Sequence, residues 1–238
     1  MSIARLRPRL RSSASANTNT ATRCRAHADG TTLHLETFIV ALDFSCQVQR
    51  HPHSERGLDL YETPAVAVEA LLRVEKLPHY IWEPAAGRGA IVNVLRAHGH
   101  AVITSDVHDY GFRLHFCRDF LGEIGAPAGV QAIVTNPPFQ HAEAFIAHAL
   151  ELSPLVIMLL RLAFYEAGSS RQKKHKLRAH VLDGIPPARI HVFRRRLPML
   201  HRDGWKGRKA NSGMAFGWWI WSRDHTGPTT ISRVSWER

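Results

Sequence analysis

The tetrapeptide Asn136-Pro137-Pro138-Phe139 closes an apolar run, Val130 to Val134, with an amide, two prolines and an aromatic ring. Two successive prolines can neither continue a sheet ladder nor enter a helix interior, so the backbone must leave the strand in a fixed, extended turn. Such a turn displays the Asn136 carboxamide, the Pro137 carbonyl and the Phe139 ring at the carboxyl end of a strand, where open α/β sheets bind ligands. The chemistry that suits this cluster is capture of a planar amino group: two oxygens accept its hydrogens while a ring stacks on its face. The plainer alternative is an Asn-Pro turn that caps a strand before a helix.

Two further stretches carry residues of the same kind. Glu83-Pro84-Ala85-Ala86-Gly87-Arg88-Gly89 follows the short apolar strand Tyr80-Ile81-Trp82 and precedes a helix over Ile91 to Ala97. A strand, a glycine loop and a helix let backbone approach a ligand closely, with helix amides pointing at it. Downstream, the strand Ala101 to Ser105 ends in Asp106, at the spacing where an acid accepts hydrogen bonds from both hydroxyls of a ribose. A solvated strand-end aspartate is the alternative there. A dehydrogenase would use the same acid, but it would have no use for Asn136 to Phe139.

The elements that must hold these residues alternate. Tyr61-Glu62-Thr63-Pro64 opens a helix, with Thr63 as N-cap, Pro64 at the first helical position, and Val66, Ala70, Leu71 and Val74 on one face. Ala142 to Leu152 is an amphipathic helix, and Leu155 to Leu160 is a fully buried strand. Repeated alternation of strand and helix implies an α/β fold with parallel pairing and right-handed crossovers. Ile190 to Phe193 and Phe216 to Trp221 are expected as the two final strands, with Trp218, Trp219 and Trp221 in the core or at the sheet edge rather than stacking on bases.

The chain has 238 residues, enough for one core, and a formal charge of +11 with a pI near 10.3, which points to a polyanionic partner. Residues 1–30 are arginine-rich among Ser, Ala, Asn and Thr, and read as a disordered basic arm, a transit peptide or translated sequence upstream of the true start. Residues 31–57 form a poorly defined lead-in, and the folded domain is expected over 58–238. Cys24, Cys46 and Cys117 lack metal-ligand spacing and suggest a reducing, cytoplasmic compartment without a disulfide framework. No apolar run approaches the roughly 20 residues needed to span a bilayer. Three basic clusters follow Phe139: Arg171, Lys173, Lys174 and Lys176; Arg194, Arg195 and Arg196; and Lys206, Arg208 and Lys209. Together they read as a phosphate-binding rim.

The order Thr63-Pro64, Glu83-Pro84-x-x-Gly87-x-Gly89, Asp106, Asp119-Phe120, Asn136-Pro137-Pro138-Phe139 resembles the S-adenosylmethionine-dependent amino methyltransferases. That family methylates adenine N6 in DNA or RNA and, in one branch, a glutamine amide in protein. The resemblance is to the DNA-modifying, bacterial or prophage type. It implies a Rossmann-like class I methyltransferase fold, a mostly parallel seven-stranded sheet with an antiparallel last strand. It also implies S-adenosylmethionine as cofactor, DNA as partner, no metal and no membrane. By the same resemblance Thr63 and Pro64 lie against the methionine moiety, Glu83, Pro84, Ala85, Gly87 and Gly89 form the cofactor loop, and Asp119 accepts the cofactor's adenine amine beside Phe120. Ala85 replaces the first glycine of the commoner loop pattern, the one hint of a fold kept for binding nucleic acid without catalysis. Cytosine N4 is chemically equivalent to adenine N6 as an acceptor, but it goes with Ser or Asp at the position of Asn136.

Overall fold

The computed structural model describes residues 61–166, 176–198 and 214–237. The basic arm, the lead-in, and Arg171, Lys173, Lys174, Lys206, Arg208 and Lys209 lie outside the described residues. Eight strands form one sheet: β1 (Tyr80–Glu83), β2 (Ala101–Asp106), β3 (Phe116–Cys117), β4 (Ala132–Thr135), β5 (Leu155–Arg161), β6 (Arg189–Phe193), β7 (Phe216–Ser222) and β8 (Thr230–Val234). Their order across the sheet is β3-β2-β1-β4-β5-β7-β6-β8. All pairings are parallel except those that β7 makes with β5 and β6.

Helices cover both faces. On one, α1 (Ala65–Val74) and α2 (Ala90–Ala97) bury Val68, Leu71, Ile91 and Leu95 against Ile81, Val102, Val134, Ile157 and Trp218. On the other, α3 (Ala142–Leu152) and the turn of α4 (Lys176–Ala179) with its continuation through Gly184 pack Phe145, Ile146, Val181 and Leu182 against Trp82, Ile133, Met158 and Trp219. The apolar runs of β4 and β5 are buried on both sides, as a central parallel strand between helix layers requires. Trp218 donates Nε1–H to the Ala67 carbonyl at 2.8 Å and fastens α1 to the sheet. Trp221 donates to the Val181 and Ile185 carbonyls, and Trp219 stacks on it with ring planes 18° apart. All three are at most 1 % exposed, which makes them core residues.

The structure corrects three expectations. The sheet has eight strands rather than seven, and its antiparallel strand is β7, with β8 following it parallel to β6. β8 escaped the sequence reading because four of its five residues are exposed on the sheet edge, so it carries no apolar run. Helix α1 begins one residue later than expected: Pro64, with ψ at 136°, is the N-cap, and Thr63 lies outside the helix as a buried residue. No α-helix separates β2 from β4, so the alternation lapses there and a loop and a 3₁₀ turn, Phe120–Gly122, take its place.

Candidate active site

The chain passes from β1 to β2 and β3 on one side, then returns to β4 on the other, so the strand order reverses between β1 and β4. A parallel sheet opens a crevice outside the carboxyl ends of its strands at such a point. A cavity of about 380 Å³ lies there. Its wall holds Thr63, Glu83, Pro84, Ala85, Gly87, Asp106, Asp119, Phe120, Asn136, Pro137, Pro138 and Phe139. Of the expected cofactor and acceptor residues only Pro64 and Gly89 are not in the wall.

Gly89 acts one step back. Its φ of 77° is left-handed, and a Cβ there would come within 2.2 Å of the Phe112 ring, so a glycine is required on both counts. The turn it makes starts α2 and leaves the Gly87 amide facing β2. Gly87 N–H donates to Asp106 Oδ2 at 2.8 Å and His108 N–H donates to Asp106 Oδ1 at 3.0 Å. Trp82 Nε1–H adds a bond to Ser105 Oγ at 2.9 Å. The ends of β1 and β2 are therefore tied into one rigid floor.

Two carboxyl groups are buried in that floor. Burial pushes the Asp106 carboxyl up from the usual range, although the His108 and Gly87 amides oppose the shift. Burial also raises Glu83, well above the ordinary range; repulsion from Asp106 adds to this, against the Val92 amide and the Arg96 charge. Glu83 is 2 % exposed and its Oε2 has no hydrogen-bond partner among the described residues. A buried acceptor without a donor costs about 1–3 kcal/mol. A ligand that brings cationic or hydroxyl donors to this pair recovers that cost.

Farther along the wall, Asp119 Oδ1 accepts from Leu121 N–H at 3.0 Å and caps the 3₁₀ turn, while staying exposed at the cavity. The Phe120 ring is wedged among Trp82, Phe145 and His148, with centroids 4.9 to 5.2 Å away, and presents an apolar wall. At the end of β4, Asn136 Nδ2 donates to the Tyr61 carbonyl at 3.0 Å. A carbonyl can only accept, so this bond fixes the amide with its oxygen turned the other way. Asn136 Oδ1 is buried and has no partner among the described residues. Phe139 packs on Tyr61 at 5.3 Å and Phe216 at 6.0 Å, and the Arg161 guanidinium lies 3.8 Å over its ring.

The sequence reading missed Tyr61, whose backbone orients Asn136, and Arg161, which covers Phe139. It also missed Glu62 and Arg88, an ion pair at 3.9 Å between two residues of the wall, and His108, Tyr110 and His141, which line it as well. The Tyr61-x-Thr63 run signals the first; nothing local signals Arg161, which reads as the polar end of an apolar strand. Of the expected basic residues that are described, Arg194, Arg195 and Arg196 follow the carboxyl end of β6. β6 runs parallel to β4 three places along the sheet, about 14 Å away at the usual strand spacing, so the triplet leaves the sheet at the same end as the cavity. Arg195 is already paired with Glu237 at 2.5 Å. Lys176 is exposed at the start of α4, which Arg178 holds beside α3 through Glu143 and the Glu166 carbonyl. Among the described residues no three His, Cys, Asp or Glu side chains converge to hold a metal, and no helix is long and apolar enough to cross a membrane.

No family model and no curated protein matches the chain. Solved structures similar to it include a Pyrococcus horikoshii protein described as an RNA methyltransferase, 18% identical over 68% of this chain and 85% of that one, with a TM-score of 0.46. A Listeria monocytogenes protein described as a class I S-adenosylmethionine-dependent methyltransferase is 12% identical over 73% and 64% of the two chains, with a TM-score of 0.47. The modification subunit of a type I restriction enzyme from Vibrio vulnificus is 14% identical, with a TM-score of 0.47; the match covers 71% of this chain but 45% of that subunit. The fold stands on the strand order given above, and the site on its own geometry.

Proposed function

We propose that this protein transfers a methyl group from S-adenosylmethionine to an exocyclic amino group, adenine N6 in DNA above others. The observation that carries the reading is the Asn136 amide: the Tyr61 carbonyl holds its nitrogen, and its oxygen is left as a buried acceptor without a partner among the described residues, on a residue of the cavity wall. An unpaired buried acceptor at the end of a strand, beside a proline carbonyl and an aromatic ring, is suited to a donor that arrives with the substrate.

The cavity residues fit the cofactor. Asp106 would accept ribose hydroxyls through lone pairs that the Gly87 and His108 amides leave open, and the buried Glu83 carboxyl, protonated in the ligand-free fold, would ionise beside a cationic ligand. Thr63, Pro84 and Ala85 would line the methionine side, and Asp119 and Phe120 the base. When bound, S-adenosylmethionine supplies a methyl activated on a sulfonium. The protein's part is positioning and electrostatics. Asn136 Oδ1 and the Pro137 carbonyl accept the two amine hydrogens, draw the nitrogen toward tetrahedral geometry and aim its lone pair. Phe139 holds the base once it leaves the stack. Arg194, Arg195, Arg196 and Lys176, with Arg171, Lys173, Lys174, Lys206, Arg208 and Lys209, supply phosphate contacts that place the strand without reading its sequence. The reading puts the protein in the cytoplasm, where it meets its nucleic acid.

The test is nucleoside mass spectrometry of DNA and of RNA incubated separately with the protein and labelled S-adenosylmethionine. Labelled N6-methyladenine in DNA is expected. Asn136→Ala is expected to cut transfer at least about 10²-fold with cofactor affinity unchanged, the scale of losing one transition-state hydrogen bond in a dry site. Label confined to RNA moves the substrate and keeps the mechanism. No label in either, with cofactor bound, points to protein glutamine or to a silent binder; full activity in Asn136→Ala overturns the assignment of that residue.

A further inference from the structure

Three arginines in the described residues are half-buried: Arg161, Arg178 and Arg189. Arg178 pairs with Glu143, and Arg189 forms a two-point bond with Glu75. Arg161 has no carboxylate or carbonyl partner among the described residues, and its Nε is buried without an acceptor. Its guanidinium carbon instead lies over Phe139, 3.8 Å from the ring centroid. Arg161 is the last residue of β5, which pairs with β4, so it leaves the sheet one strand from Asn136 and at the same end. Stacking takes up the face of a guanidinium and leaves its edge donors available. Leaving a buried Nε–H unsatisfied is costly, and the cost is recovered only when an acceptor arrives.

We infer that Arg161 is a positioning residue that binds a backbone phosphate of the acceptor strand next to the reacting nucleotide, while its guanidinium face holds the Phe139 ring in place. The inference rests on the reading above that the acceptor is a nucleic acid. It adds what that reading lacks, a contact that ties strand position to the ring beside Asn136. The anion is a phosphodiester because the acceptor is read as nucleic acid, and the arginine triplet after β6 leaves the same end of the sheet, where neighbouring phosphates of one strand would meet it. Phosphate geometry matches the guanidinium fork, which a lysine cannot reproduce while also stacking.

The test uses the full chain with a fluorescein-labelled, adenine-containing single-stranded oligonucleotide. Anisotropy is read across a salt series for the wild type, Arg161→Ala and Arg161→Lys, and S-adenosylmethionine affinity is measured calorimetrically on each. Arg161→Ala is expected to weaken oligonucleotide binding about tenfold and to lower the log-log salt slope by about 1, with cofactor affinity within twofold of wild type. Arg161→Lys is expected to keep the slope and regain part of the affinity. Where transfer is measurable, Arg161→Ala raises KM for the nucleic acid more than it lowers kcat. An unchanged slope and affinity in Arg161→Ala overturns the phosphate contact, and so does a wild type that binds cofactor but no oligonucleotide. Loss of cofactor binding together with oligonucleotide binding marks a purely structural residue and also overturns it. A wild type that binds both ligands and transfers no methyl would sink the proposed reaction while leaving the Arg161 contact to stand or fall on its slope.

Discussion

Glu83 shows how one residue couples a binding site to stability. Its carboxyl is raised well above the ordinary range by burial and by Asp106, so the fold favours its protonated form. The sign follows directly. An acid raised in the folded state contributes its full stability below the unfolded pKa, about 4.3 for glutamate, and loses it as pH rises through the folded value. Asp106 is shifted the same way and adds to the effect. Thermal melts of the ligand-free protein should therefore show Tm falling as pH rises above the unfolded glutamate value of about 4.3. Glu83→Gln should flatten that dependence, and saturating S-adenosylmethionine should suppress it in the wild type. A Tm independent of pH in the ligand-free wild type would contradict the burial of an unpaired acid.

At the scale of elements, the late strands depend on one polar cluster remote from the cavity. Glu75, the C-cap of α1, meets Arg189 at 2.6 and 3.0 Å and His191 at 2.7 Å, and His191 meets Ser232 at 2.5 Å. These bonds join α1 to β6 and β6 to β8, the edge that the sequence does not mark. Burial works to raise the Glu75 carboxyl, but the hydrogen bonds from His191 and Arg189, with the Arg189 charge, outweigh it and hold the carboxyl below the ordinary range. Here the sign is the reverse of Glu83: the stabilisation is present above the unfolded glutamate pKa and is lost as pH falls through the lowered one. Glu75→Gln should cost about 1–3 kcal/mol at pH 7 in urea unfolding, because it strips the charge from a buried network. The difference from wild type should shrink as pH falls below 4. Placing the cluster on the α1 face, away from the cavity, also predicts unchanged cofactor affinity in this variant.

Across the whole molecule, the parallel strands bring the described cofactor and acceptor residues and the arginine triplet to one end of the sheet. Cofactor residues sit at β1 and β2, Asn136 to Phe139 at β4, Arg161 at β5 and the arginine triplet after β6. The arginines of the triplet would attract phosphate over the range of the Debye length, about 8 Å at physiological salt. The triplet is not uniform, because Arg195 already pairs with Glu237. Arg194→Ala should lower the salt slope of oligonucleotide binding by about 1, and Arg195→Ala by less, since Glu237 already neutralises part of the Arg195 charge in the wild type. Equal slopes for the two variants and the wild type would remove the triplet from the interface.

The sequence by itself determined what depends on local backbone preference. Two prolines had to end β4, and the runs at Tyr80, Ala101, Ala132 and Leu155 had to be strands, because these constraints act within a few residues of the chain. Their order, with the resemblance it carries, named half the residues of the cavity wall. Only the tertiary structure decided what depends on distant partners. The orientation of the Asn136 amide comes from a carbonyl 75 residues earlier in the chain. Arg161 over Phe139, β7 inserted between β5 and β6, and β8 on the edge are likewise set by packing between segments far apart in sequence. The shift of Glu83 has the same origin, since burial and the charge of Asp106 exist only once β1 and β2 lie side by side under α2.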